Sequence, residues 1–188
     1  MEDSIHERGR AMEDLFFQQK DQQLLEKLRH ELAIKDSREE LARISGIQDK
    51  GVLDTLLTHQ VTPETLLAVG MIPLVAVAWA DNVLHDSEKK CVLRAADEAG
   101  IQEGSAAFEL LNQWLSKKPD RSLVQAWEVY IKGLKQKLDA SAFQNLKLQV
   151  MNRASKVAEA AGGFLGLGNR VSPAERALLN EFEKTFAE

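Results

Sequence analysis

The chain predicts an all-α fold, and three observations carry that expectation. Apolar residues recur at helical spacing through nearly every segment. No stretch sustains a polar–apolar alternation between hairpin turns. Helix-start signals punctuate the chain, among them Ser37 with Glu40, Thr62-Pro63 and Ser172-Pro173 with Glu175. The expected architecture is an all-α protein of about eight to nine helices, a compact helical bundle behind an N-terminal helical extension.

The elements follow in order. Residues 5–34 read as a polar helix with a sparse apolar stripe, Met12, Phe16 and Phe17 at one end and Leu24, Leu25, Leu28 and Leu32 at the other. Ser37 and Glu40 form a capping-box pattern that predicts a short helix ending at Gly46. Another helix covers about Lys50 to His59. Thr62-Pro63 starts the next one. Pro73 starts or kinks its successor, Leu74 to about Asp81, which is apolar on every face and belongs at the buried centre. Helices over about Ser87–Ala99, Ser105–Ser116, Arg121–Leu138 and Ala140–Ala160 come next. A glycine-rich break, Gly162 to Gly168, precedes Ser172-Pro173-Ala174-Glu175, the strongest helix start in the chain. Composition shifts near Gln60, so the expected domains are an extension over 1–60 and a bundle over 61–188. Its core is expected to include Leu74, Val77, Ala78, Cys91, Leu111, Trp127 and Leu178.

Composition bounds the function. The 188 residues are 44% hydrophobic, enough to build a core. A net charge of −5 argues against general binding to a phosphate backbone. Cys91 is the only cysteine, so no internal disulfide forms and a reducing compartment is expected. Met1-Glu2-Asp3-Ser4 lacks the basic and apolar regions of a secretory signal. The most apolar run, Leu66 to Ala80, falls short of the roughly 20 residues that span a bilayer. A cytoplasmic location is the expectation.

The densest chemistry lies in Trp79-Ala80-Asp81-Asn82-Val83-Leu84-His85-Asp86-Ser87-Glu88, a short oxygen-rich loop between two helices. Asp81, Asp86 and Glu88 offer carboxylates to a hard cation such as Ca²⁺ or Mg²⁺. His85 would suit Zn²⁺ or Mn²⁺. The same residues also read as capping, with Asp86 as N-cap and Glu88 in the first turn, where the helix dipole favours an acid. Both readings stand on the sequence, and the spacing is not that of an EF-hand. Glu175 reads as a capping-box residue. Cys91 reads as a core thiol. No chemistry is assigned to His6, His30 or His59.

Val75 to Val92 and Val157 to Leu179 share a layout of helix, loop, first-turn glutamate and helix, an internal echo in which Glu88 and Glu175 hold matching positions. Ala80 to Glu88 resembles the Ala-Asp-Gly, acid-rich, Glu pattern of TerB-like domains, the helical domains of tellurite-resistance proteins. The resemblance covers about residues 62–188. It implies a compact all-helical domain of two similar halves, with loop acids that bind metal, in a stress- or envelope-associated setting. Asn82 stands where the pattern has glycine, and Asn tolerates left-handed backbone. Glycines replace the second-half acid, which leaves only Asp81, His85, Asp86, Glu88 and at most Glu175 for a divalent cation (Ca, Mg, Mn or Zn).

The glycine loop fits neither a P-loop, since Gly168 is followed by Asn169-Arg170, nor a dinucleotide fingerprint, which needs a preceding strand. Its Phe164, Leu165 and Leu167 either pack inward or meet a partner or membrane surface. Trp79, Trp114 and Trp127 read as core. Ser37 to Leu57 loosely resembles a helix-turn-helix, but the second helix offers few base-reading groups. No nucleophile–base pair is visible, so no enzyme activity is expected. The expected function is a protein-interaction module. Its contacts would be Phe16, Phe17, Leu24 and Leu28 of the extension, which binds a partner or self-associates because such a helix is marginal alone. Two alternatives are a metal-dependent hydrolase using the acidic loop and a DNA-binding regulator.

Overall fold

A computed structural model describes residues 33–160 and 171–187. Among them are eight α-helices, one 3-10 segment and no strand. The chain divides into two compact units, Met1–Glu40 and Leu41–Glu188. Most of the expected extension lies outside the described residues, including Phe16, Phe17, Leu24 and Leu28, as do Phe164, Leu165 and Leu167. Of the first unit, residues 33–40 are helical, with an exposed Lys35–Glu39 ion pair of 3.8 Å.

Helix α1 covers residues 33–45. It runs straight through Ser37, so the capping box expected there is not a helix start. An N-cap must leave helical backbone, and the residues before Ser37 are already helical. The expected stop is where the sequence placed it. Gly46 turns left-handed, with φ +73°, and donates its N–H to the Ala42 carbonyl at 2.9 Å. Lys137 Nζ donates to the Gly46 carbonyl.

Helix α2, Lys50–Thr58, is capped by Asp49, whose carboxylate accepts from Val52 N–H at 3.0 Å. Its Val52, Leu53 and Leu56 are buried, and it packs on α6. The second unit therefore begins at Leu41, a fully buried residue, and not near Gln60. The polar composition of the segment misplaced the boundary, because one apolar stripe suffices to dock a helix.

Thr62 and Pro63 start an element as expected, and Thr65 Oγ1 accepts from Thr62 N–H at 2.7 Å. The element is a 3-10 segment, Pro63–Met71, rather than an α-helix, and it packs on α5. It runs directly into α3, Ile72–Ala78, where six of the seven residues are buried. Helix α3 touches α4, α6, α7, α8 and the 3-10 segment, which makes it the hub of the fold. Around it stand α4 (Asp86–Glu98), α5 (Ala106–Ser116), α6 (Arg121–Lys135), α7 (Ala140–Ala160) and α8 (Pro173–Ala187).

Leu74, Val77, Ala78, Leu111 and Trp127 are core residues, as expected. Cys91 and Leu178 pack against the core but stay partly exposed. Burial raises the Cys91 thiol above its ordinary value, so the sulfur stays protonated and unreactive at neutral pH. The closing contacts are aromatic. Trp127 meets Phe182 edge-on at 5.1 Å and Phe186 at 5.9 Å, tying α6 to α8. No single helix among the described residues is long and apolar enough to cross a membrane.

Candidate functional site

The acidic loop divides its residues between two jobs. Trp79 closes α3, and Asn82 carries the left-handed turn at φ +69° that the sequence anticipated. Asp81 is exposed, and its carboxylate accepts from Val83 N–H at 2.9 Å, a local Asx turn. His85 and Asp86 are exposed as well. His85, not Asp86, is the N-cap of α4, and Asp86 is the first helical residue. Glu88 is different: it is 2% exposed, and its Oε2 accepts from His85 N–H at 2.8 Å.

No three His, Cys, Asp or Glu side chains gather as a metal site among the described residues. The loop's other oxygens already meet a cation of the protein. Lys118 Nζ donates to the Trp79 carbonyl at 2.8 Å and to Asn82 Oδ1 at 2.7 Å. An ammonium with three donors fits such an oxygen set.

Glu88 meets Glu175. The second helix start repeats the first: Ser172 Oγ accepts from Glu175 N–H at 3.2 Å, and Glu175 Oε2 accepts from Ser172 N–H at 2.5 Å. Glu175 is 3% exposed. Each glutamate spends one oxygen on its own helix start, and Glu175 is near enough to Glu88 to act on its ionisation. Burial drives the Glu88 carboxyl up to about 7; its bond to the His85 amide opposes this, and the bond to Glu175 and the nearby Glu175 and Asp81 charges add to the rise. The internal echo set Glu88 and Glu175 in matching positions of two helix starts, and both serve there as first-turn acids.

A groove of about 250 Å³ lies elsewhere, between α3, the start of α6 and α8. Its apolar lining includes Val75, Trp79, Val124 and Leu178, and its rim carries Lys118, Asp120, Arg121 and Glu181. Trp79 Nε1 donates to the Trp114 carbonyl at 2.9 Å, which fixes the indole at the groove wall. Arg121 pairs with Glu181 across the rim. Glu181 also bonds Glu128, whose carboxyl is raised, first by burial and then by that neighbour.

One contact was not visible in the sequence. His59 Nε2 lies 2.9 Å from Ser122 Oγ, with Asp120 beside them. Burial lowers the His59 pKa, with the Asp120 charge opposing, so the ring is neutral at pH 7. A neutral histidine against a serine has the elements of a nucleophile pair. The rest of the machinery is taken. Asp120 caps α6, its carboxylate accepts from Ser122 N–H at 2.9 Å and also bonds the Ser122 hydroxyl. The amides that could hold an oxyanion therefore face a carboxylate that would repel it. Hydrogen bonding holds that carboxyl below its ordinary value.

No family model, no curated protein and no solved structure matches this chain.

Proposed function

We propose that this chain is a non-catalytic helical interaction module that takes apolar side chains of a partner's amphipathic helix into the groove between α3, α6 and α8. The observation that carries the reading is the form of the groove. Its volume, about 250 Å³, lies below the roughly 300–1,000 Å³ of pockets that enclose a small ligand. It suits one or two aliphatic side chains. An apolar floor inside a rim of both signs is the pattern of helix-in-groove recognition, where side chains at helical spacing anchor and polar flanks align. Ala174 and Ala177 on the open side of α8 leave room for a backbone to approach. The resemblance to TerB-like domains belongs to the same proposal. Its support is the pair of matching helix starts at Glu88 and Glu175 and the left-handed Asn82 in the first loop.

Trp79 gives the test, because it lines the groove while Trp114 and Trp127 are buried. An amphipathic model helix with leucine at every third and fourth position is expected to shift Trp79 emission in a saturable way. Ala177→Arg is expected to abolish the shift. A titration that leaves the emission unchanged, or one that survives Ala177→Arg, removes the groove as the binding surface. Turnover of ester or phosphoester substrates with Mn²⁺ or Zn²⁺, lost on Asp81→Ala, would overturn the non-catalytic reading.

A further inference from the structure

We propose that Lys118 is the positioning residue of the groove: its ammonium takes a cation's place in the loop after α3 and holds Trp79 as the groove wall.

Local sequence puts Lys118 where it can do this. Helix α5 ends at Ser116, and its C-cap, Lys117, is extended at φ −141° and ψ 123°. Pro119 follows Lys118 and disfavours helical backbone at the residue before it. Asp120 then caps α6. Lys118 therefore lies in a short non-helical link between two helices, and its long stem reaches the end of α3. There Nζ donates to the Trp79 carbonyl at 2.8 Å and to Asn82 Oδ1 at 2.7 Å.

Those two oxygens belong to the two ends of one turn. Asn82 N–H donates to the Trp79 carbonyl at 3.0 Å, and Asn82 is left-handed at φ +69°. A single ammonium thus clips the turn at both ends. Two neutral oxygens are few for Ca²⁺, which takes about six to eight. They suit an ammonium, whose third N–H is left for water. Asp81 turns one oxygen to the Val83 amide of its own loop. The cation of this loop is Lys118.

The same link fixes the groove. Trp79 and Lys118 both line it. The indole Nε1 of Trp79 donates to the Trp114 carbonyl on α5 at 2.9 Å, and the Trp79 carbonyl accepts from Lys118 just beyond α5. Side chain and backbone of Trp79 are therefore both bonded to the segment between α5 and α6. A wall fixed before the ligand arrives spares the ligand the cost of ordering it. This step rests on the groove as the helix-binding surface.

The full-length protein supplies the test. Lys118 is exposed, so Lys118→Met should leave the fold intact and lower the melting temperature by only about 1–3 °C. Without ligand, the lysine ammonium NMR spectrum is expected to show a slowly exchanging signal that Lys118→Met removes. Asn82→Gly keeps the left-handed turn but removes one acceptor, and should speed that exchange several-fold. Lys118→Met should then lower the melting temperature less in the Asn82→Gly background than in the parent. With the leucine-bearing model helix, Lys118→Met is expected to weaken binding about three- to tenfold. An ammonium signal that Asn82→Gly leaves unmoved, or fully additive melting shifts, overturns the contact. So does a change in the Asn82 signals of the unaltered protein on adding millimolar Ca²⁺ or Mg²⁺, because a metal then displaces the ammonium. Equal helix affinity in Lys118→Met overturns the positioning role. A helix that does not bind the unaltered protein sinks the groove reading instead, and the ligand-free measurements still decide the contact.

Discussion

Two polar joints tie helices of the bundle together, and they manage charge in opposite ways. At the starts of α4 and α8, two buried acids, Glu88 and Glu175, lie near each other. At the end of α2 and the start of α6, His59 meets Ser122 beside Asp120. Burial disfavours the charged form in both places, but the groups differ in which form is charged. Glu88 becomes neutral by holding its proton, and His59 by releasing it. The comparison teaches that one physical cost, desolvation, produces opposite pH behaviour in a single domain. The Glu88 contribution is lost as pH rises through about 7. The His59 joint has a lowered folded-state value, so its contribution is present above the ordinary 6.5 and is lost as pH falls.

The largest expected effect breaks the first joint. Glu88→Ala removes the bond to the His85 amide and leaves Glu175 buried without its partner. It should destabilise the protein by about 2–4 kcal/mol in urea denaturation. Glu88→Gln, which keeps the bonds, should cost less than about 1 kcal/mol below pH 6 and should stabilise relative to the parent above pH 8. A Glu88→Gln variant as damaged as Glu88→Ala would mean that shape and not protonation governs the joint.

The second joint should yield less. Ser122→Ala removes one partly buried hydrogen bond and should cost about 1 kcal/mol. His59→Asn should flatten the acid side of the stability profile, seen as a smaller loss of melting temperature between about pH 7 and 5. If both joints titrate on the same side of neutrality, the contrast between them fails. The smallest expected effect lies at the groove. Ala177→Arg sits on an exposed helical position, so stability should stay within about 0.5 kcal/mol while peptide-induced Trp79 emission changes disappear. Loss of folding in that variant would place Ala177 in the core packing instead.

The sequence by itself determined most of the helix starts and stops, because those signals are local. Ser172, Pro173 and Glu175 fix the start of α8 within one turn, and Gly46 ends α1, without help from distant residues. The all-apolar Ile72–Ala78 segment announced its place at the centre for the same reason, since no surface could accommodate it. Where a local signal competed with its context, it failed: Ser37 has a capping pattern but sits inside a continuous helix. The tertiary structure alone decided which side chains meet. Capping explained Glu88 and Glu175 separately, and only the packing of α4 and α8 around α3 and α7 made them a pair. It likewise brought His59 to Ser122 and delivered Lys118 to the oxygens of the acidic loop. The physical reason is range. Caps and periodicity act within a turn or two of backbone, whereas desolvation and charge depend on neighbours that only the folded chain supplies.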